Sequence, residues 1–262
     1  MSYSEKISKL TVRIECQEEN GISVGTGFWF GFRLDEQNIL PVLVTNKHVV
    51  DSAISVSLKV SCKIGNEENQ MGEIDAKREH FIFHPDNDID LCVLPVANIL
   101  AELRNNDIIV EPYFFTDQLF LKDKSITPIE DVFMTGYPNG LWDNVNNRPI
   151  TRKGITASSP KENWQGRPVF MIDMACFGGS SGSPVYILNE GSFMHEGHLV
   201  TGERLIFLGI LYAGPTLNAQ GNLEIVDIPT STKMIVNTEL MMNIGIVIHA
   251  SKLNDFKPLL QN

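Results

Sequence analysis

The stretch Phe177-Gly-Gly-Ser-Ser-Gly-Ser-Pro-Val185 sets three glycines and three serines between two apolar, strand-like runs. Glycines surround a side chain where the backbone must turn sharply and let a second molecule come close. Such a turn can aim the amides of Gly179 and Ser181 at one point, with Ser180 between them. Two convergent N–H groups are what the oxyanion of a tetrahedral intermediate requires. Ser181 is therefore the candidate nucleophile. Pro184 then opens a strand, where its missing N–H does no harm. A flexible Gly/Ser linker has a similar composition, but the apolar runs on both sides are a poor context for a linker.

Two other segments offer partners for a serine. In Val42-Leu-Val-Thr-Asn-Lys-His48-Val-Val50 an apolar strand ends in a polar step and then presents a histidine. Imidazole takes and returns a proton near neutral pH, so His48 is the candidate general base. In Asp86-Asn-Asp88-Ile-Asp90-Leu-Cys-Val-Leu-Pro95 an acidic turn runs straight into an apolar strand. A carboxylate at the mouth of that strand, Asp90, can accept the Nδ1–H of a histidine and stabilise the imidazolium. Asp86 and Asp88 read as turn formers. Taken singly, His48 also fits a core histidine and Asp90 an ordinary acidic turn. It is the combination with Ser181 that gives them chemistry.

Around these segments the chain reads as β-rich. Strand-like runs fall at 10–15, 25–32, 42–46, 54–63, 79–84, 91–96, 131–135, 153–157, 169–174, 184–188, 205–212 and 244–249. A turn of helix is expected over 98–103. A terminal helix is expected from Ser251, with Leu253, Phe256, Leu259 and Leu260 on one face. Many short strands without interleaved helices indicate barrels or sandwiches, not βαβ units. Residues 105–124 are the least strand-like central stretch and read as a linker, which divides the chain into units 1–110 and 111–262.

Composition narrows the function classes. The 262 residues are 43% hydrophobic and 20% charged, ordinary for a globular protein. The 21 basic and 32 acidic residues leave a net charge of −11. That field repels nucleic acid and anionic membrane surfaces alike. The longest apolar run, 205–214, is about half the length of a membrane-spanning helix. The first ten residues lack the apolar stretch of a secretory leader. Cys16, Cys62, Cys92 and Cys176 form no CxxC pair and read as reduced, so a cytoplasmic location is expected. His195-Glu-Gly-His198 has no third ligand in reach, and neither metal nor other cofactor is expected. The loop 140–149 reads equally as a cleft-shaping loop or a solvated surface.

The chain order His48, Asp90, Ser181 is that of the chymotrypsin arrangement, not of subtilisin or the α/β-hydrolases. With it, the sequence resembles the trypsin-like, chymotrypsin-fold serine peptidases. It is closer to a stand-alone protease domain of the bacterial HtrA-like group than to the digestive enzymes. The pieces that carry the resemblance are Gly25-Thr-Gly-Phe28, Thr45-Asn-Lys-His48-Val-Val50, Asp90-Leu-Cys-Val-Leu94, Gly136-Tyr-Pro138, Gly179-Ser-Ser181-Gly-Ser-Pro184 and Leu208-Gly-Ile-Leu-Tyr-Ala-Gly214.

The resemblance implies an all-β fold of two antiparallel six-stranded β-barrels with a short C-terminal helix. His48 and Asp90 would come from the first barrel and Ser181 from the second. It implies a serine endopeptidase with a Ser181-His48-Asp90 triad and an oxyanion hole from Gly179, Ser180 and Ser181. A protein or peptide substrate would lie as an added strand along Tyr212, Ala213 and Gly214. Ala175 would form the base of the specificity pocket, with Cys176 and Phe177 adding apolar surface. A base without a carboxylate implies cleavage after small or medium apolar residues rather than after Arg or Lys. One departure stands out: Ser180 occupies the position where zymogen-activated members carry an aspartate that captures a freed N-terminus. The Gly178–Gly179 pair would also let the oxyanion loop flip, so a latent protease awaiting a protein partner is a variant of this reading. A catalytically silent peptide-binding module is the alternative, and an esterase or acyl transferase with the same triad ranks third.

Overall fold

The computed structural model describes residues 2–65, 67–122, 124–195, 197–223 and 234–260. Nine strands build the N-terminal sheet: β1 (Thr11–Glu18), β2 (Gly21–Arg33), β3 (Ile39–Thr45), β4 (Ser55–Ile64), β5 (Glu67–Ala76), β6 (Ile82–Phe83), β7 (Cys92–Pro95), β8 (Ile108–Val110) and β9 (Phe115–Thr116). Their order is β5-β4-β1-β2-β3-β7-β6, with β8 added beside β4 and β9 beside β2. The β2–β9 pair is parallel. Ten further strands follow: β10 (Asp131–Gly136), β11 (Ile150–Thr156), β12 (Val169–Asp173), β13 (Pro184–Asn189), β14 (Ser192–His195), β15 (His198–Thr201), β16 (Arg204–Ala213), β17 (Thr216–Leu223), β18 (Met234–Met241) and β19 (Ile244–His249). Six of them close into a barrel in the order β10-β11-β12-β19-β16-β13. The pairs β14–β15 and β17–β18 stand apart as two-stranded ribbons. The α-helices among the described residues are short: α1 (Tyr3–Ile7), α2 (Lys47–Val50), α3 (Ala97–Asn105) and α4 (Lys257–Leu260).

The pleat explains which residues face inward. Along β4, Val56, Leu58, Val60 and Cys62 are buried while their neighbours in the strand are not, the two-residue period of a sheet with one covered face. β2 is buried almost continuously from Gly25 to Phe32 because both its faces are covered. Trp29 enters the interior of the N-terminal sheet. Phe28, Phe30 and Phe32 enter a second core shared with the closed barrel. There Phe207 of β16 packs against Phe28 (5.4 Å between centroids) and Phe115 (5.1 Å) in edge-on and tilted contacts. Aromatic clusters of this kind bury large apolar area with favourable quadrupole geometry. They join the two halves into one body.

Several expectations are corrected. The N-terminal sheet has nine strands, not six, and among the described residues no pair joins its ends β5 and β6 into a closed barrel. β5 escapes a pattern search because Glu67-Glu-Asn-Gln-Met-Gly-Glu is polar. It forms because β4 offers it a full antiparallel ladder. The segment read as a linker supplies β8 and β9, which pair with β4 and β2. Only the end of 79–84 is a strand, since Arg78–His80 is a 3₁₀ turn. The terminal helix begins with 3₁₀ geometry at Ala250, one residue before Ser251. Leu253 and Phe256 are buried there, whereas Leu259 is exposed.

The terminal segment is tied to the N-terminal sheet through His84, which is buried. Its Nδ1 accepts from the Asp86 N–H (3.1 Å) and its Nε2 faces the Lys252 carbonyl (3.2 Å). Its ring stands edge-on to Phe256. Burial lowers its pKa below the usual histidine value. Burial does the same to His249. A base with a depressed folded-state pKa binds fewer protons folded than unfolded, so stability rises with pH up to the unfolded-state value near 6.5. Thermal unfolding followed from pH 8 to pH 5 should therefore show a falling Tm below about pH 6.5. His84→Gln should flatten that fall, and a slope unchanged by the substitution would remove His84 as its source.

Candidate active site

His48 and Asp90 meet because two strand ends lie side by side. β3 pairs with β7 so that Thr45 faces Cys92. His48 follows three residues after Thr45, and Asp90 precedes Cys92 by two. Val49 and Val50 are buried and anchor α2, leaving His48 half-exposed on its outer side. His48 Nδ1 lies 2.5 Å from Asp90 Oδ2. The His48 backbone N–H donates to the other carboxylate oxygen (3.1 Å). One carboxylate thus fixes both the ring and its backbone, and the Nε2 face of the imidazole is left for another partner. Asn46, fully buried, donates its side-chain amide to the Asp90 carbonyl (2.7 Å) and locks the two loops together. Asp86 and Asp88 form a local turn, with Asp88 N–H donating to Asp86 Oδ1 (2.9 Å).

Ser181 sits on a tightly constrained loop. Ser180 N–H donates to the Phe177 carbonyl (3.0 Å), and Gly179 at the third position has φ +78°. These are the marks of a type II turn, which needs a positive φ there. The Gly178 carbonyl is held by the Asn139 N–H (2.6 Å). Across a planar trans peptide the carbonyl and N–H point opposite ways, so the Gly179 N–H is directed away from Asn139. Among the described residues neither Gly179 N–H nor Ser181 N–H donates a hydrogen bond. Both remain available to an incoming oxyanion.

Close packing enforces this shape. A Cβ at Gly179 would lie 2.4 Å from the Tyr137 carbonyl oxygen. A Cβ at Gly182, whose φ is +86°, would lie 1.9 Å from the Thr26 carbonyl oxygen. Thr26 of β2 is the centre of the contact. Its N–H donates to the Ser181 carbonyl (2.9 Å), and its Oγ1 donates to the Gly179 carbonyl (2.8 Å). The same Oγ1 accepts from the Tyr137 N–H (3.1 Å). Its own carbonyl accepts from Thr45 Oγ1 (2.8 Å), three residues before His48. The serine loop is therefore bonded to the strand pair that carries the histidine. Ser181 Oγ itself makes no hydrogen bond among the described residues. In unliganded sites such contacts are often long and tighten on binding.

The residues expected to hold substrate surround the same loop. The end of β16 is pinned beside the Ser181 loop: Gly182 N–H donates to the Leu211 carbonyl (2.9 Å) and Leu211 N–H to the Ser183 carbonyl (3.0 Å). Tyr212 and Ala213 follow at the strand end, and Gly214 lies just beyond it. The Tyr212 hydroxyl accepts from Arg167 (2.8 Å). The Cys176 thiol is buried, and desolvation pushes its pKa up to about 11. Phe177 is exposed. Ala175 is braced through its carbonyl by Arg152 Nη1. His195 and His198 face each other across the β14–β15 turn. No group of three potential metal ligands exists among the described residues.

Sequence reasoning gave no role to Thr26, Asn46 or Arg152. A signal for Thr26 existed in Gly25-Thr-Gly27, because two glycines around a threonine leave a strand open to close approach. Nothing in the sequence pointed to Arg152, which acts from a strand distant along the chain.

Comparison with known proteins identifies the family. The sequence pattern of the trypsin-like peptidase domain family matches residues 25–194. No curated protein is detectably similar along its sequence. Among solved structures, the chain is similar to the HtrA-type protease AlgW with a tripeptide, with a TM-score of 0.51 and 15% identity over 98% of this chain and 63% of that one. It is also similar to a serine endoprotease from Yersinia pestis (TM-score 0.48, 15% identity, 99% and 66% coverage). The MamO protease domain from Magnetospirillum magneticum gives a TM-score of 0.48 at 13% identity, over 96% and 97% of the two chains. The chain spans just under two thirds of the length of the first two.

The two glycines before the serines should respond differently to a methyl group. At Gly178 a Cβ would meet only Asn139 Oδ1, at 3.9 Å. Gly178→Ala should therefore stay within about 0.5 kcal/mol of the parent in urea unfolding. Gly179→Ala combines a positive φ with a backbone clash and should lose on the order of 1–3 kcal/mol. Equal stability of the two variants would contradict the turn described.

Proposed function

The chain belongs to the trypsin-like peptidase domain family, and on that premise we propose that it is a serine endopeptidase acting through Ser181, His48 and Asp90. That it is a trypsin-like serine protease, a hydrolase, follows from the family itself. The observation that carries the finer reading is the 2.5 Å contact between His48 Nδ1 and Asp90 Oδ2, beside a serine turn with two unspent amides. With Nδ1 committed to Asp90, Nε2 takes the proton of Ser181 Oγ as that oxygen attacks the peptide carbonyl. The carbonyl oxygen becomes the oxyanion and is met by the Gly179 and Ser181 N–H groups, with Ser180 fixing the spacing. His48 then gives the proton to the leaving amine. Water, activated by the same histidine, releases the acyl group and restores the serine.

The substrate is proposed to be an extended segment of protein or peptide lying along Tyr212, Ala213 and Gly214. Ala175, Cys176 and Phe177 would shape the pocket for the residue before the scissile bond. The neutral Cys176 and small Ala175 support a small or medium apolar residue there. The HtrA-type protease AlgW is described with a tripeptide, which supports a peptide as the class of ligand proposed for this chain. The four cysteines are free and buried, which suits a reducing compartment and supports a cytoplasmic location. No helix among the described residues is long and apolar enough to cross a membrane.

One observation favours a second reading. Ser181 Oγ has no hydrogen bond to His48, as a silent peptide-binding module or a protease awaiting an activating partner would have it. The Asn139–Gly178 bond, which turns the Gly179 N–H away from Asn139 and leaves it unspent, supports the assembled protease instead.

A library of extended peptides separates these readings. Cleavage should concentrate after small or medium apolar residues and disappear in Ser181→Ala. Asp90→Asn should lower kcat by on the order of 10⁴, because the imidazole is then left in the wrong tautomer. Dominant cleavage after Arg or Lys would overturn the pocket assignment, and peptide retained uncut would favour the binding module.

A further inference from the structure

Arg152 lies on β11, facing Met134 of β10, and its side chain runs inward beneath the serine loop. Its Nη1 donates to the Ala175 carbonyl. Its Nη2 donates to Ser180 Oγ (2.7 Å), and Ser180 is completely buried. Its guanidinium carbon stands 5.9 Å from the centre of the Phe177 ring. One planar cation therefore touches the start, the middle and the end of the segment 175–180. Arg is suited to this, since its fork of donors is rigid and it stacks on aromatic faces.

The electrostatics of this cation are unusual. Among the described residues no carboxylate forms an ion pair with it, and its Nε is buried without a partner. Cys176, which interacts electrostatically with it, is a neutral thiol. Arg152 is partly buried, and even partial burial of a cation without a carboxylate is costly, so a protein that needed only to fill space would use an apolar side chain. The cation does more than fill space: it holds the Ser180 hydroxyl on one side and the Ala175 carbonyl on the other, while the Ser180 N–H closes the type II turn on Phe177.

We propose that Arg152 is a positioning residue that holds the oxyanion turn in its open-amide form from within the chain, in the role a captured N-terminal amine fills where an aspartate precedes the nucleophile. The inference rests on the serine-peptidase reading above and adds the regulation of that same site. It also supplies a charge. A cation behind the turn favours the negative oxygen that develops in front of it. Arginine stays charged across the accessible pH range, so the turn held this way has no dependence on the titration of an amine.

The full chain tests this with Arg152→Met, Arg152→Lys and Ser180→Ala, read by peptide turnover and by hydrogen exchange of the 175–181 amides. Arg152→Met should lower kcat on the order of 100-fold, the scale of a lost oxyanion donor, while KM moves less than about threefold. Arg152→Lys should recover part of kcat, because it restores the charge and one of the two bonds. Exchange of the Ser180 amide should quicken at least about tenfold in Arg152→Met, with the β12 and β19 amides unchanged. Exchange that rises evenly through the barrel, or kcat and exchange both at parental levels in a folded variant, would overturn the proposal. If Arg152→Met does not fold, Ser180→Ala carries the same two readouts, with a smaller loss of kcat expected. A parent chain that cleaves no peptide would overturn the peptidase reading, and the exchange experiment would still decide whether Arg152 holds the turn.

Discussion

Thr26 bears the contact on which the site depends. Its four polar links join β2 to the serine loop, to the Tyr137 turn and to the end of β3. The bonds to Tyr137 and Thr45 are buried and the one to the Gly179 carbonyl is partly so, and a buried bond is worth more than a surface bond and is expensive to leave unmade. The hydroxyl can serve two partners at once because it donates to one and accepts from the other. Serine would offer the same chemistry with less restriction of χ1, whereas valine would keep the shape and lose both bonds.

That arrangement demands room. Gly136 lets Thr26 and Ser183 approach, since a Cβ there would fall 2.1 Å from Ser183 Oγ and 2.6 Å from Thr26 Oγ1. Gly182 and Gly179 solve the same problem on the other side of the contact. Gly179 and Gly182 are therefore required twice, once for positive φ and once for the close passage of two backbones. The two halves are in this way held in register without a covalent link between them. The aromatic cluster around Phe207 supplies the bulk adhesion, and Thr26 supplies the register.

The parts of the fold that were legible in the sequence are those with strong local character. The apolar runs of β2, β3, β7, β13 and β16 stand out because two covered faces leave little room for polar residues. The serine turn stands out because glycine is needed there. β5 was hidden, since its residues are polar and its existence depends on the ladder with β4. β8 and β9 were hidden in the segment between the halves because strands of two or three residues leave no period to detect. The closed barrel was anticipated, while the extra strands of the N-terminal sheet were not. In the site, His48, Asp90 and Ser181 could be singled out because each ends or begins an apolar run. Arg152 could not, because its importance arises from a contact across 28 positions of chain that no local pattern records.

The proposed peptidase requires nucleophile, base and oxyanion amides to stand ready in one assembled site. A fluorophosphonate reads all three at once, because the serine must be activated and the phosphoryl oxygen must be bound for the adduct to form. Intact-mass and peptide mapping of the labelled chain should give a single adduct on Ser181, absent from Ser181→Ala. A folded parent chain that takes no label, or one labelled elsewhere, would contradict the account.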